Sequence, residues 1–227
     1  MSEATSPKPA ARPRDAATLI LYRQSRHSTE ILMGERHGGH SFMPNRYVFP
    51  GGRVDPDDWR VRVAAELREP VAARLRKAAT PARARALAAA AVRETFEETG
   101  LLVARADPDP GAEVPANWRE FFATGFAPAL DVLDYVVRAV TPPYRPKRFN
   151  ARFFAANAEH AHGTIKGSGE LLDLRWIPVA EALQLELPRI TGIVLEQIAS
   201  LIGRRPDEDR PVKVYRQLHG KPTNGEE

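Results

Sequence analysis

Cysteine is absent from the 227 residues, which excludes disulfides, cysteine metal ligands and a thiol nucleophile. Aromatic residues make up only 7% and alternate with cations in no repeat, so the sequence mark of a nucleic-acid stacking platform is missing. No apolar run is long enough for a signal segment or a membrane span, and a soluble cytoplasmic protein is expected. Charge of one sign does not dominate either. Lys and Arg number 33 against 29 Asp and Glu, a net charge of +4 that suits a small polyanion without requiring DNA or RNA. The glycine-rich stretch GTIKGSG, Gly163 to Gly169, lacks the spacing and the Lys-Ser or Lys-Thr ending of a phosphate-binding loop. His160 and His162 form an H-x-H pair with no third ligand at a diagnostic spacing, and His37 and His40 read as loop residues beside two glycines.

What is present is enough apolar material, 43% of the chain, for one sizeable core. Residues 1–14, rich in Ala and Pro, are expected to be disordered, 15–203 to form one domain, and 204–227 to be a polar tail in which Val212 to Leu218 can add a strand.

The stretch AAAVRETFEETGLLV carries the most chemistry. With about 100° between successive residues, Glu94, Glu97 and Glu98 fall on one side of a helix, and like charges so spaced repel unless a cation compensates. Solvent and Arg93 can supply it, or a divalent metal can. Ala88, Val92 and Phe96, widened by Leu87 and Ala91, form the inward stripe. Thr80 and Pro81 signal the start and Gly100 the end, so the spacing predicts a helix over Pro81 to Thr99.

A second feature, RYVFPGGRVDPDDW from Arg46 to Trp59, has a strand at Tyr47 to Phe49 stopped by Pro50, then two glycines. Gly51 and Gly52 permit a sharp turn whose carbonyls can face a hard cation as readily as a carboxylate does.

Together the two stretches resemble the Nudix hydrolase signature. Arg93, Glu94, Phe96, Glu97, Glu98, Gly100 and Leu101 match its second half in full. Gly52 and Arg93 stand 41 positions apart, against 14 in the uninterrupted signature, which leaves a 27-residue insertion. Pro70 is expected to divide the stretch Trp59 to Ala79 within it into two short helical pieces. The signature's first glutamate has no clear counterpart. Asp58 lies six positions beyond Gly52 and Arg85 eight before Arg93, so its supporting role is absent or has moved. A long insert after FPGG, with the phrases FMPNRYVFPGG, AAVRETFEETGLLV and RFNARFFAA, resembles the branch that includes acyl-coenzyme A diphosphatases.

The resemblance implies an α/β/α sandwich with a mixed sheet and a helical insertion between the two halves of the signature. It implies Mg2+ or Mn2+ on Glu94, Glu97, Glu98 and a carbonyl near Gly51, and water attack at phosphorus in a small-molecule diphosphate. Coenzyme A or an acyl-coenzyme A is the first substrate expectation. Nucleotide sugars, dinucleotides or nucleoside triphosphates are the second, and an inactive binding or regulatory module the third. The general base is Glu94 or Glu170, and Arg93 holds the acids in register. Arg36, Arg46, Gly52, Arg148 and Arg152 are the candidate substrate contacts, the arginines because a guanidinium grips phosphate with two bonds; each arginine can instead be a surface cation. No membrane or nucleic-acid partner is expected, and a homodimer is open.

Strands are expected at Ala17 to Tyr22, Glu30 to Gly34, from Leu101, within Ala129 to Ala139, at Ala151 to Ala155 and at Leu171 to Trp176. Helices are expected over Pro178 to Leu183 and Ile193 to Ile202.

Overall fold

A computed structural model describes residues 11–39, 44–107, 109, 113–202, 210–218 and 221–227. The first half runs β1 (Arg14–Gln24), β2 (Thr29–Arg36), β3 (Tyr47–Val48), β4 (Gly51–Arg53), a 3-10 turn at Pro56–Trp59, α1 (Glu69–Arg76) and α2 (Pro81–Thr99). There follow β5 (Leu102–Ala106), a 3-10 turn at Ala116–Trp118, α3 (Arg119–Phe122), β6 (Phe126–Pro128), β7 (Asp134–Val140), β8 (Phe149–Asn157) and β9 (Ala161–His162). The chain closes with β10 (Leu171–Pro178), α4 (Val179–Ala182), α5 (Arg189–Leu201), β11 (Lys213–Leu218) and β12 (Lys221–Glu226).

The main sheet is mixed, in the order β10-β2-β1-β8-β7-β11-β12, with β1 parallel to β8 and β7 parallel to β11. Its decisive feature is a split between β1 and β2. They pair only at Tyr22 to Gln24, and beyond that β3 takes Gly34 and Glu35 of β2 while β4 takes Ala16 to Thr18 of β1. Phe49 and Pro50 cross the gap, and Leu19 N–H donates to the Pro50 carbonyl at 3.1 Å. The paired glycines thus stand in the opening of the sheet, facing α2.

Apolar side chains alternate across β1: Leu19 and Leu21 join the core under α2, while Ile20 joins the second core under α4 and α5. Helices on both faces make the α/β/α sandwich. In α2 the capping residues act as the sequence predicts: Thr80 accepts from Arg83 N–H, and Gly100 ends the helix at φ 75 in the left-handed region. The inward stripe proves too narrow an expectation, because Ala86 to Val92 are all buried. Sheet, α1 and the aromatic cluster of Trp118, Phe121 and Phe122 enclose the helix, and alanine lets all of them approach it.

The insert contains one helix, not two. Pro70 falls in the first turn of α1, where its missing N–H costs nothing, so it starts a helix where a divider was expected. Residues 60–68 run irregularly past β6 and are tied at Ala65 to Ala129. In the C-terminal segment the expected strand forms as β11, which extends the sheet on β7, and a further strand, β12, pairs with it as a hairpin. Of the N-terminal tail, 1–10 and likewise 203–209 lie outside the described residues, while Arg14 already belongs to β1. The expected strand over Ala129 to Ala139 begins only at Asp134, because Leu130 and Leu133 bury themselves in a turn.

Candidate metal centre

Arg93 is the hub. Its Nε donates to Asp58 Oδ1 at 2.8 Å and its Nη2 to Asp58 Oδ2 at 3.0 Å, a bidentate pair closed off from solvent. Nη1 donates to Glu97 Oε2 at 2.8 Å, and Nη2 also reaches the Arg53 carbonyl at 2.9 Å and Glu94 Oε1 at 3.0 Å. One guanidinium therefore orients two of the three candidate acids, and its five donors in a fixed fork explain why arginine and not lysine stands here.

Asp58 answers the question of the missing glutamate. It occupies the sixth position after Gly52, is fully buried, and takes Arg93 as its partner. The supporting carboxylate is present as aspartate, one methylene shorter. Its signal in the sequence was the spacing alone. Arg85, eight positions before Arg93, is engaged elsewhere, with Glu66 and the Val61 carbonyl.

The glycine turn meets the acids directly. Gly51 N–H donates to Glu98 Oε2 at 2.8 Å. A side chain at Gly51 would overlap the Ala17 carbonyl oxygen at 2.6 Å, and one at Gly52 would overlap the Glu94 carboxyl group. The two glycines are thus required by close approach, to β1 on one side and to the acids on the other.

Electrostatics follow from burial. Removal from water pushes the Glu98 carboxyl up to about 8, against the Gly51 N–H and the Arg36 charge, which ease its ionisation. Burial likewise raises Glu94 to about 7 despite Arg93, and raises Glu97 more mildly. Arg93 bonds three carboxylates, Asp58, Glu94 and Glu97, while Glu98 takes the Gly51 N–H.

The donor set suits a hard divalent cation. Glu94, Glu97 and Glu98 each keep one oxygen that accepts no hydrogen bond from the described residues. Among the described residues, as the side chains stand, no three acids or histidines converge as a ready cage.

Of the remaining candidates, Arg36 and Glu170 come to the cluster. Arg36 pairs with Leu171 across β2 and β10 and acts on Glu98, and the Glu170 charge opposes ionisation of both Glu97 and Glu98. Arg46 is half-exposed and ion-paired with Glu186. Arg148 and Arg152, expected as substrate contacts, are bonded to backbone carbonyls. Arg148 donates to the Ala11 and Thr141 carbonyls, and Arg152, 1% exposed, donates to Asn150 and Ala78 carbonyls inside the core. Arg148 stands just before β8 and Arg152 within it, in register with Ala17, and among the described residues neither is bonded to the acids of α2. His37 Nδ1 accepts from Gly39 N–H, and His162 lies against Phe126, so neither joins the acids; His40 lies outside the described residues.

No protein-family model matches the chain. A curated Caenorhabditis elegans protein that bears a nudix hydrolase name is 27% identical over 180 residues, 75% of this chain. The chain spans about half, 53%, of that relative's length. The crystal structure of a NUDIX hydrolase from Alicyclobacillus acidocaldarius aligns with a TM-score of 0.62 and 29% identity, covering 83% of this chain and 92% of that one. The NUDIX domain of Shewanella oneidensis NrtR, solved with ADP ribose, aligns with a TM-score of 0.50 and 14% identity over 89% of this chain and 99% of its own, a likeness of fold. The fold is the Nudix fold, and the curated relative and the Alicyclobacillus enzyme support the Nudix hydrolase family for this chain.

Proposed function

We propose that the chain hydrolyses a diphosphate linkage in a small molecule, with magnesium or manganese held by Glu94, Glu97, Glu98 and a carbonyl at Gly51. The observation that carries this reading is the meeting of the glycine turn with the acids, sealed by the Gly51 N–H to Glu98 bond. A scaffold gains nothing from gathering three carboxylates on one rim, with burial raising the carboxyls of Glu94 and Glu98. The support from relatives is that proteins of this fold and sequence pattern carry the name of hydrolases.

Bound in this place, a divalent ion supplies charge opposite the phosphate oxygens and a water of lowered pKa. The chain's residues do the rest. Asp58 fixes Arg93, Arg93 fixes Glu97 and Glu94, and Gly52 leaves room for the Glu94 carboxylate. Glu170 stands near enough to Glu97 and Glu98 to feel their charge and is the proton acceptor of this reading, since Glu94 is committed to the ion. Arg36 on the same rim is the phosphate contact.

For the substrate, we propose coenzyme A or an acyl-coenzyme A first, on the strength of the phrases FMPNRYVFPGG and RFNARFFAA around the split signature. The insert helix does not strengthen it: α1 packs on the first half of α2, its Val71 and Leu75 in one apolar cluster with Ala84 and Leu87, whereas the acids stand at the end of α2. Nucleotide sugars, dinucleotides and nucleoside triphosphates form the second class.

Purified protein tested with magnesium or manganese against coenzyme A, ADP-ribose, NADH and nucleoside triphosphates separates these readings. Two phosphorylated products from coenzyme A and none from the nucleotides supports the first class, and the reverse supports the second. Turnover of none, with Glu97→Gln indistinguishable from the unsubstituted protein, leaves a binding module and rejects the proposal.

A further inference from the structure

We infer that Trp118 is a positioning residue of the acid cluster: its indole N–H holds the Asp58 carboxylate, which holds Arg93 and, through it, Glu97 and Glu94. The inference rests on the proposed role of those glutamates as ion ligands.

Trp118 stands 60 residues from Asp58 in sequence, is fully buried, and donates from Nε1 to Asp58 Oδ1 at 3.1 Å. The preceding residue makes a parallel contact, Asn117 N–H to Asp57 Oδ2 at 3.2 Å, so the turn Ala116–Trp118 clips onto the turn Pro56–Trp59 at two consecutive aspartates. Asp58 receives four donors in all: Arg93 Nε and Trp118 Nε1 on Oδ1, Arg93 Nη2 and Asp55 N–H on Oδ2. Each oxygen thus has one donor from Arg93 and one that fixes the carboxylate independently of it. The side chain is shut off from water, so a lost donor is not replaced by solvent.

Tight anchoring matters because the carboxylate is on a short stem. The glutamate of the signature reaches one methylene further, whereas Asp58 meets Arg93 only while the turn that carries it is held in place. Asp55 pins that turn from within, and Trp118 pins it from outside. The indole is itself fixed by Phe121 and Phe122, with ring centroids 5.2 and 6.4 Å away. Phe121 in turn meets Phe96 of α2 edge-on at 5.2 Å, one residue from Glu97. Packing and the hydrogen bond therefore converge on the same helical turn, and only the second is specific to an indole.

The test is the manganese affinity of the full chain, read from the free-ion electron paramagnetic resonance signal. Trp118→Phe is expected to bind about 10-fold more weakly, the low end of what outer partners of metal ligands contribute. Phe122→Leu, which disturbs the same aromatic packing and keeps the N–H, is expected to stay within about 2-fold. Equal losses in the two variants, or an unchanged Trp118→Phe, overturn the inference while the proposed function stands. No manganese binding by the unsubstituted protein removes both. A measurement on the unsubstituted protein covers the case of a variant that does not fold. Added magnesium is expected to shift the Trp118 indole N–H resonance, distinguished by Trp59→Phe and Trp176→Phe, more than the other two. An unmoved Trp118 resonance at saturating magnesium overturns the inference.

Discussion

Asp58 and Arg93, 35 residues apart on either side of the insertion, meet in a buried bidentate ion pair with donor-acceptor distances of 2.8 and 3.0 Å. The 27-residue insertion lengthens the chain between the halves of the signature without separating them in space, because it leaves after the turn that carries Asp58 and returns at the start of α2.

Removing Asp58 leaves a buried guanidinium without its fully buried counter-charge. Asp58→Ala is expected to cost about 3–5 kcal/mol of folding stability in urea unfolding, the usual penalty for breaking one side of a buried pair. A loss below about 1 kcal/mol would mean that Glu97 and Glu94 suffice for Arg93.

Gly52→Ala separates stability from ion binding. The new methyl meets the end of the Glu94 side chain, which can swing aside, so the melting temperature is expected to stay close to that of the unsubstituted protein. The displaced carboxylate is a ligand, and manganese affinity is expected to fall by about 10-fold or more. A large drop in melting temperature with unchanged affinity would contradict this placement of Glu94.

The raised carboxyls set a pH dependence. Glu98 titrates at about 8 and Glu94 at about 7 in the folded chain, against an ordinary 4.5. The unfolded chain releases these protons first, so this contribution to stability is complete below about pH 4.5 and is lost as pH rises through 7 to 8. Without added metal the melting temperature is therefore expected to fall between pH 5 and 8 for the unsubstituted protein and to fall less for Glu98→Gln. Metal binding needs the ionised forms, so stabilisation by magnesium is expected to be larger at pH 8 than at pH 6. Equal magnesium shifts at the two pH values would contradict the assignment.

Much of this site could be read in the sequence because its signals are local. The cap at Thr80, Pro81 in the first turn and Gly100 after the end bound α2, and the acids repeat on its own period. The partner of Asp58 could not be read, since its bonds to Arg93 and to Trp118 join residues 35 and 60 positions apart and only the folded chain brings them together. The strand β12, with Pro222 and Gly225 in KPTNGE, lacks both β-propensity and alternation, and it forms because β11 offers it an edge. For Arg148 and Arg152 the sequence shows the charge but not the carbonyls of Ala11 and Ala78, to which they donate in the folded chain.

Glu170→Gln tests the proton acceptor separately from the ion. It is expected to lower kcat about 100-fold or more, in the range of general base catalysis, with manganese affinity nearly unchanged. Loss of both in proportion would make Glu170 a ligand, and loss of neither would return the base role to Glu94.

The most direct test of the central claim is manganese titration of the unsubstituted protein beside Glu97→Gln and Glu98→Gln at pH 8, followed by the free-ion signal. Saturable binding that weakens by about 10-fold or more in each variant, with folded spectra retained, is the expected result. Binding that is absent, or that is equally strong in all three proteins, would contradict an ion held between the glycine turn and the glutamates of α2.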